Sequence, residues 1–190
     1  MRATQRNLFE QLKSPSEKRE QKRRVKHGGE LSKGKRKSKR PLATKSWIHL
    51  VLESPKAKGR LSMLAERNAR WIEQLLRVKA KKFGVEIKDF VNMGNHIHFQ
   101  IKIINRKSFQ NFLRSITSLV ARHVTGARKG VKFGKFWGAL AFTRVLTSYI
   151  ELSQLEKYFM ANRIQLRKGY GARTRYLDSA NSWIQGLRAK

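Results

Sequence analysis

The residues best equipped for chemistry in this chain are two histidines, His96 and His98, separated by one apolar residue. They belong to a run in which His96, His98, Gln100 and Lys102 alternate with Ile97, Phe99, Ile101 and Ile103. Successive side chains of a strand point to opposite faces, so a strand here carries both imidazoles on its polar face, with Cβ atoms roughly 6.5–7 Å apart. Imidazoles leaning together at that spacing can each set a nitrogen about 2.1 Å from one ion. The chain has no cysteine, which removes disulfides, thiolate nucleophiles and sulfur-bound zinc, so any metal must sit on imidazole, carboxylate or amide oxygen. A polar strand face that carries two histidines and no ligand has the same pattern.

A second pair changes the weight of the first. Tyr158 and Asn162 are four residues apart and so stack on one face of a helix. At 100° per residue they run along the edge of an apolar stripe made by Leu152, Leu155, Phe159 and Leu166, and a packed helix would present both at a crevice. The bland alternative is a core-edge tyrosine with its hydroxyl in water and a solvated amide. Tyr149 at the start of the helix, and Tyr170 and Tyr176 in a basic tail, lack such a neighbour. His27, His49 and His123 have no partner at ligand spacing and receive no role.

The elements that must position these groups follow from periodicity. The stretch 46–54 is apolar and β-forming and stops at Pro55, which predicts a first strand with order beginning after Pro41. Leu61, Leu64, Ala65, Ile72, Leu75, Leu76 and Phe83 fall at helical spacing ahead of Gly84, predicting a first helix over 61–83. Strands are predicted over 86–93 and 96–103, joined by the two-residue loop Gly94-Asn95. Phe109, Phe112, Leu113, Ile116, Leu119 and Val120 predict a second helix that ends near the Gly126–Gly130 stretch. A fourth strand over 137–146 and a last helix from Ser148 to about Arg167 complete the order βαββαβ-α. That order predicts an α+β fold, a ferredoxin-like split βαβ sandwich with an antiparallel sheet, two helices on one face and one extra helix.

Charge names the partner class. Forty-four Lys and Arg against 12 Asp and Glu give a formal charge of +32 over 190 residues. Residues 1–40 hold 15 basic and four acidic side chains and few large apolar ones, which predicts a basic arm without order of its own. Within it Lys35, Arg36, Lys37, Lys39 and Arg40 suit phosphate tracking. The remaining 150 residues, a single domain over 41–168 and a basic tail over 169–190, still carry about +21. Lys132-Phe-Gly-Lys-Phe-Trp137 interleaves cations with aromatics, so Lys132, Lys135 and Trp137 could hold phosphates and stack unpaired bases; Phe136 and Trp137 could equally be core. No apolar run of about 20 residues spans a membrane, and the polar start of the chain predicts no export signal.

The hairpin Asn92-Met-Gly-Asn-His-Ile-His-Phe99 resembles the His-hydrophobic-His motif of single-tyrosine HUH transposases, and the element order agrees over about residues 40–167. The sequence is most similar to the branch called REP-associated tyrosine transposases, whose last helix carries a tyrosine followed four residues later by a polar metal ligand, here Tyr158 and Asn162. His27-Gly-Gly-Glu30 and Arg40-Pro-Leu42 also resemble a segment before the first strand in some members. Related helices often run Asn-Pro-Val-Arg-Ala-Gly after the tyrosine, where this chain departs with Asn162-Arg-Ile-Gln-Leu-Arg167.

The resemblance implies that His96, His98 and Asn162 bind Mg²⁺ or Mn²⁺ and that Tyr158 is the nucleophile, with Arg163 or Arg167 helping to stabilise its phenolate and both arginines near DNA. It also implies a single-stranded or hairpin DNA substrate, a monomer or homodimer, and a cytoplasmic, nucleoid-associated protein. Asp89 either orients a histidine from behind or is solvated. The rival reading is a non-catalytic binder, a domesticated relative or an RNA-binding protein of ribosomal type.

Overall fold

The computed structural model describes residues 14–16, 25–29, 34 and 39–170, without the side chains of 169 and 170. Five strands form one sheet: β1 (Lys26–His27), β2 (Ile48–Glu53), β3 (Val85–Asn92), β4 (His96–Ile103) and β5 (Phe142–Val145). Among the described residues three long helices accompany them: α1 (Glu66–Phe83), α2 (Arg106–Thr125) and α3 (Tyr149–Tyr170). The strand order is β1-β5-β2-β4-β3 and every pairing is antiparallel. Without β1 this is the predicted split βαβ arrangement.

Alternation divides the two faces. Ile48, Leu50 and Leu52 of β2 and Ile97, Phe99, Ile101 and Ile103 of β4 are buried on one face against Ile72 and Leu76 of α1 and Phe109, Phe112, Ile116 and Val120 of α2. The opposite face carries Val91, and α3 lies over it with Leu155, Phe159 and Leu166 forming a second, smaller core. The ends of the helices follow from local chemistry. Asn105 caps α2 by accepting from the Ser108 N–H at 2.8 Å, and α1 stops at Gly84, whose φ of 61° is readily adopted only by glycine. At the start of α3 Ser148 Oγ accepts from the Glu151 N–H while the Glu151 carboxylate accepts from Thr147, a reciprocal cap.

The structure differs from the sequence reading in three places. Order begins before Pro41, because Lys26 and His27 pair with Arg144 and Thr143 and extend the sheet by one edge strand. Two residues carry no periodicity, so nothing in the pattern announces this strand. The first helix begins at Glu66 instead of Leu61: residues 59–61 form a tighter turn, and Met63 turns away to donate its N–H to the Gly94 carbonyl at 2.8 Å. The fourth strand is confined to Phe142–Val145, since Trp137 leaves the strand line to bond its indole N–H to the Thr117 carbonyl at 2.9 Å.

A bulge in β3 ties the sheet to α3. Ile87 pairs with Ile101 and Asp89 with Gln100, leaving Lys88 as the extra residue. As bulges do, it re-aims the side chains beyond it. Lys88 bonds Glu156 of α3 at 2.6 Å, and Asp89 forms an ion pair with Arg163 of α3. Two consecutive residues of one strand thus hold the same helix.

Candidate active site

The β3–β4 hairpin brings the histidines to the α3 face. Its loop is tight, with the Met93 N–H bonded to the His96 carbonyl at 2.8 Å. Gly94 has a φ of 91°, and among the described residues no residue other than glycine has positive φ, so the glycine-first turn needs glycine at that position. His96 and His98 then point to one side, with ring centroids 4.7 Å apart and planes 88° to one another. The predicted pair is brought together.

α3 delivers the tyrosine. Phe159, fully buried, packs its ring 6.0 Å from that of His98 and so fixes the height of the helix over the sheet. Tyr158, beside it, directs its hydroxyl to 3.3 Å from His98 Nε2 and stays 44% exposed. Asn162, one turn further on, is buried, and its amide Nδ2 has no hydrogen-bond partner. All of this lies within a single chain.

Hydrogen bonds and burial set the state of the imidazoles. His96 Nδ1 lies 2.7 Å from Asn95 Oδ1, an oxygen that can only accept, so its proton is on Nδ1 and Nε2 keeps its lone pair. Burial lowers the His96 pKa. Burial, then the neighbouring His49 and His96, hold His98 down to about 3. Burial and then Arg144 hold His49 down to about 4. All three therefore stay neutral at neutral pH, the form in which imidazole ligates a cation.

The two imidazoles are borderline ligands suited to a divalent cation. His96 and His98 present neutral imidazoles on one side of β4 with ring centroids 4.7 Å apart, and Tyr158 reaches the same place with its hydroxyl 3.3 Å from His98 Nε2. Among the described residues no group of three or more His, Asp or Glu gathers for a metal. Asn162 is buried one turn along α3 from Tyr158, and its side-chain oxygen is the amide atom able to ligate a cation, the unbonded Nδ2 being a donor. Gln100, two residues beyond His98 and on its face, is fully buried with neither end of its amide bonded.

Other expected site residues are placed differently. Arg163 is engaged by Asp89 and is not directed at the phenol; Asp89 is neither solvated nor behind a histidine, because the bulge turns it to α3. Arg40 donates from Nη1 to the Ala141 carbonyl and to Thr143 Oγ1, both at 2.7 Å, and so ties the segment before β2 to β5. Phe136 is core, and Trp137 is half-buried with its N–H already bonded. Lys39, Lys132, Lys135 and Arg167 are exposed. Lys35, Arg36, Lys37 and Tyr176 lie outside the described residues.

Sequence spacing assigns His49 no role, yet its Nε2 lies 3.1 Å from His98 Nδ1. Its signal was parity: Trp47, His49, Val51 and Glu53 alternate with the buried Ile48, Leu50 and Leu52, which puts His49 on the histidine face of the sheet.

Comparison with known proteins decides the family. The family model described as Transposase IS200 like matches residues 43–162, from the approach to β2 through Asn162. The chain belongs to the IS200-like transposases. This transposase therefore has DNA as its partner and DNA transposition as its class of activity. No curated protein matches it. Among solved structures it is similar to a protein provisionally described as a transposase from Deinococcus radiodurans, with 19% identity and a TM-score of 0.40, over 67% of this chain and 98% of the other. Among the described residues no helix is long and apolar enough to cross a membrane.

Proposed function

We propose that this transposase cuts and rejoins single-stranded DNA with Tyr158 as nucleophile and a divalent cation, Mg²⁺ or Mn²⁺, held by His96, His98 and Asn162. The observation that carries the reading is the 3.3 Å separation of the Tyr158 hydroxyl from His98 Nε2 within one chain. The Tyr158 oxygen attacks the scissile phosphorus and the bond to the 3′ oxygen breaks. The phenol proton passes to solvent on the open side of the ring and the leaving 3′ oxygen takes up a proton. The products are a 3′-hydroxyl and a 5′-phosphotyrosine, whose ester conserves the bond for the reverse, joining step. The cation, when bound, supplies Lewis-acid polarisation of a non-bridging phosphate oxygen.

The chain's own residues do the rest. His96 and His98 meet the cation neutral, so binding displaces no proton from them at neutral pH. Phe159 and the ion pairs of α3 fix the phenol in place. The exposed Lys132 and Lys135 offer phosphate contacts. The spacing of Tyr158 and Asn162 favours the REP-associated branch, and with it a folded DNA end as substrate. Incubation with labelled single-stranded DNA and Mn²⁺ should give a covalent adduct that vanishes in Tyr158→Phe while DNA affinity is kept. An adduct that survives the substitution overturns the assignment.

A further inference from the structure

We propose that His49 is a positioning residue for the candidate cation site: it accepts a hydrogen bond from His98 and so holds that imidazole in the tautomer whose Nε2 can bind. The inference rests on the reading of His98 as a ligand. Its observations are geometric.

His49 Nε2 is 3.1 Å from His98 Nδ1, and the two rings lie 5.3 Å apart at 25°. The strands bring them there: Val51 pairs with His98 and His49 with Gln100, so His49 is the diagonal neighbour of His98 on the α3 face. His49 is itself wedged. Phe142 meets its ring edge-on at 6.1 Å and 79°, and Phe159 at 5.9 Å and 64°. Neither can take its place as an acceptor.

A neutral imidazole carries one N–H, and the hydrogen bond made by one nitrogen decides whether the other is free. With the His98 proton on Nδ1, pointing at His49, Nε2 offers its lone pair toward the Tyr158 hydroxyl and the candidate cation position. With the proton on Nε2, an N–H would point into the site and no cation could bind there. His49 then carries its own proton on Nδ1. His96 is oriented separately, by Asn95 of the hairpin loop. The two ligands thus reach the same tautomer through different partners, and only His98 depends on the neighbouring strand. In metal sites the orienting partner of a ligating histidine is worth about 10–100-fold in affinity.

The test uses the full chain. Nitrogen-15 NMR of the metal-free protein should find the His98 proton on Nδ1. In His49→Phe, which keeps a ring and removes the acceptor, that preference should be lost and Mn²⁺ affinity, read by EPR of the free ion, should fall about 10–100-fold. His49→Gln returns an acceptor oxygen near the place of Nε2 and should recover most of the affinity. The proposal is overturned if His98 carries its proton on Nε2 in the wild-type protein, or if His49→Phe binds Mn²⁺ as tightly. It is also overturned if His49→Gln loses as much as His49→Phe, since packing would then be the whole effect. A wild-type protein that binds no Mn²⁺ but has His98 protonated on Nδ1 refutes the ligand reading, leaving a hydrogen bond with no cation to serve. The NMR result separates the two failures.

Discussion

The tyrosine helix is held to β3 by two ion pairs of unequal worth, and removing Asp89 should expose the difference. Lys88–Glu156 has side chains 35% and 44% exposed, so solvent screens it and its loss should cost under about 1 kcal/mol. Arg163 and Asp89 are only 18% and 14% exposed. Taking the carboxylate away strands a guanidinium in a poorly solvated place, for which about 3 kcal/mol is the expected cost, the low end of the range for buried pairs because some exposure remains. Asp89→Ala should therefore lower the urea-unfolding free energy by about 3 kcal/mol, and Asp89→Ala with Arg163→Met should recover most of it. The same change should slow formation of the DNA adduct, since about 1 Å of misplacement of a reacting group costs about 10²-fold. If Asp89→Ala lies within about 0.5 kcal/mol of wild type, the size of effect usual for surface substitutions, or if Glu156→Ala costs more, the reasoning from burial fails.

The same geometry sets three further outcomes. His49 and His98 titrate near 4 and 3 in the folded chain and near 6.5 unfolded, so the unfolded state binds more protons as pH falls below 6.5 and stability drops, by up to about 2.7 kcal/mol per pH unit from the pair around pH 5. Denaturant titrations at pH 7, 6 and 5 should show that slope and should show it flattened in His49→Gln/His98→Asn; an unchanged slope refutes the assignment. Because Tyr158 meets the histidines of its own chain, mixing Tyr158→Phe with His98→Ala should regenerate no adduct. Adduct in the mixture would mean that the tyrosine serves a second copy. Finally, Lys132→Ala/Lys135→Ala should reduce the slope of log affinity against log salt for single-stranded DNA by about 1.4, if each lysine meets one phosphate; no change would remove them from the interface.

Much of this arrangement was legible in the sequence because it is periodic. The alternation in 96–103 gave the histidine face, Gly94-Asn95 gave the hairpin, and spacings of three and four gave the helices and the pairing of Tyr158 with Asn162. What escaped depends on contacts between distant segments. His49 has no neighbour in sequence to declare it, and becomes part of the site only through the β2–β4 register. Asp89 was misread because a single extra residue, Lys88, changes which side of β3 it faces, and bulges leave no mark on a hydrophobic pattern. Arg40 reads as one more cation in a basic run, yet it reaches across about a hundred residues to Ala141 and Thr143. The two-residue β1 is recognisable only by its pairing with β5.

Only Leu146, Thr147 and Ser148 separate β5 from α3, and the Leu146 N–H is already bonded to the Trp47 carbonyl at 2.9 Å. So short a link limits how far the start of the helix can move from the end of β5. With Tyr158 as nucleophile, a severed 5′ end would stay moored over the same two imidazoles where it was cut, unable to travel with the protein segment that captured it. Rearrangement would then fall to the nucleic acid: whichever free 3′ end folds or diffuses back to that fixed berth is the one that becomes joined, and the choice of product would be written in the shape of the DNA.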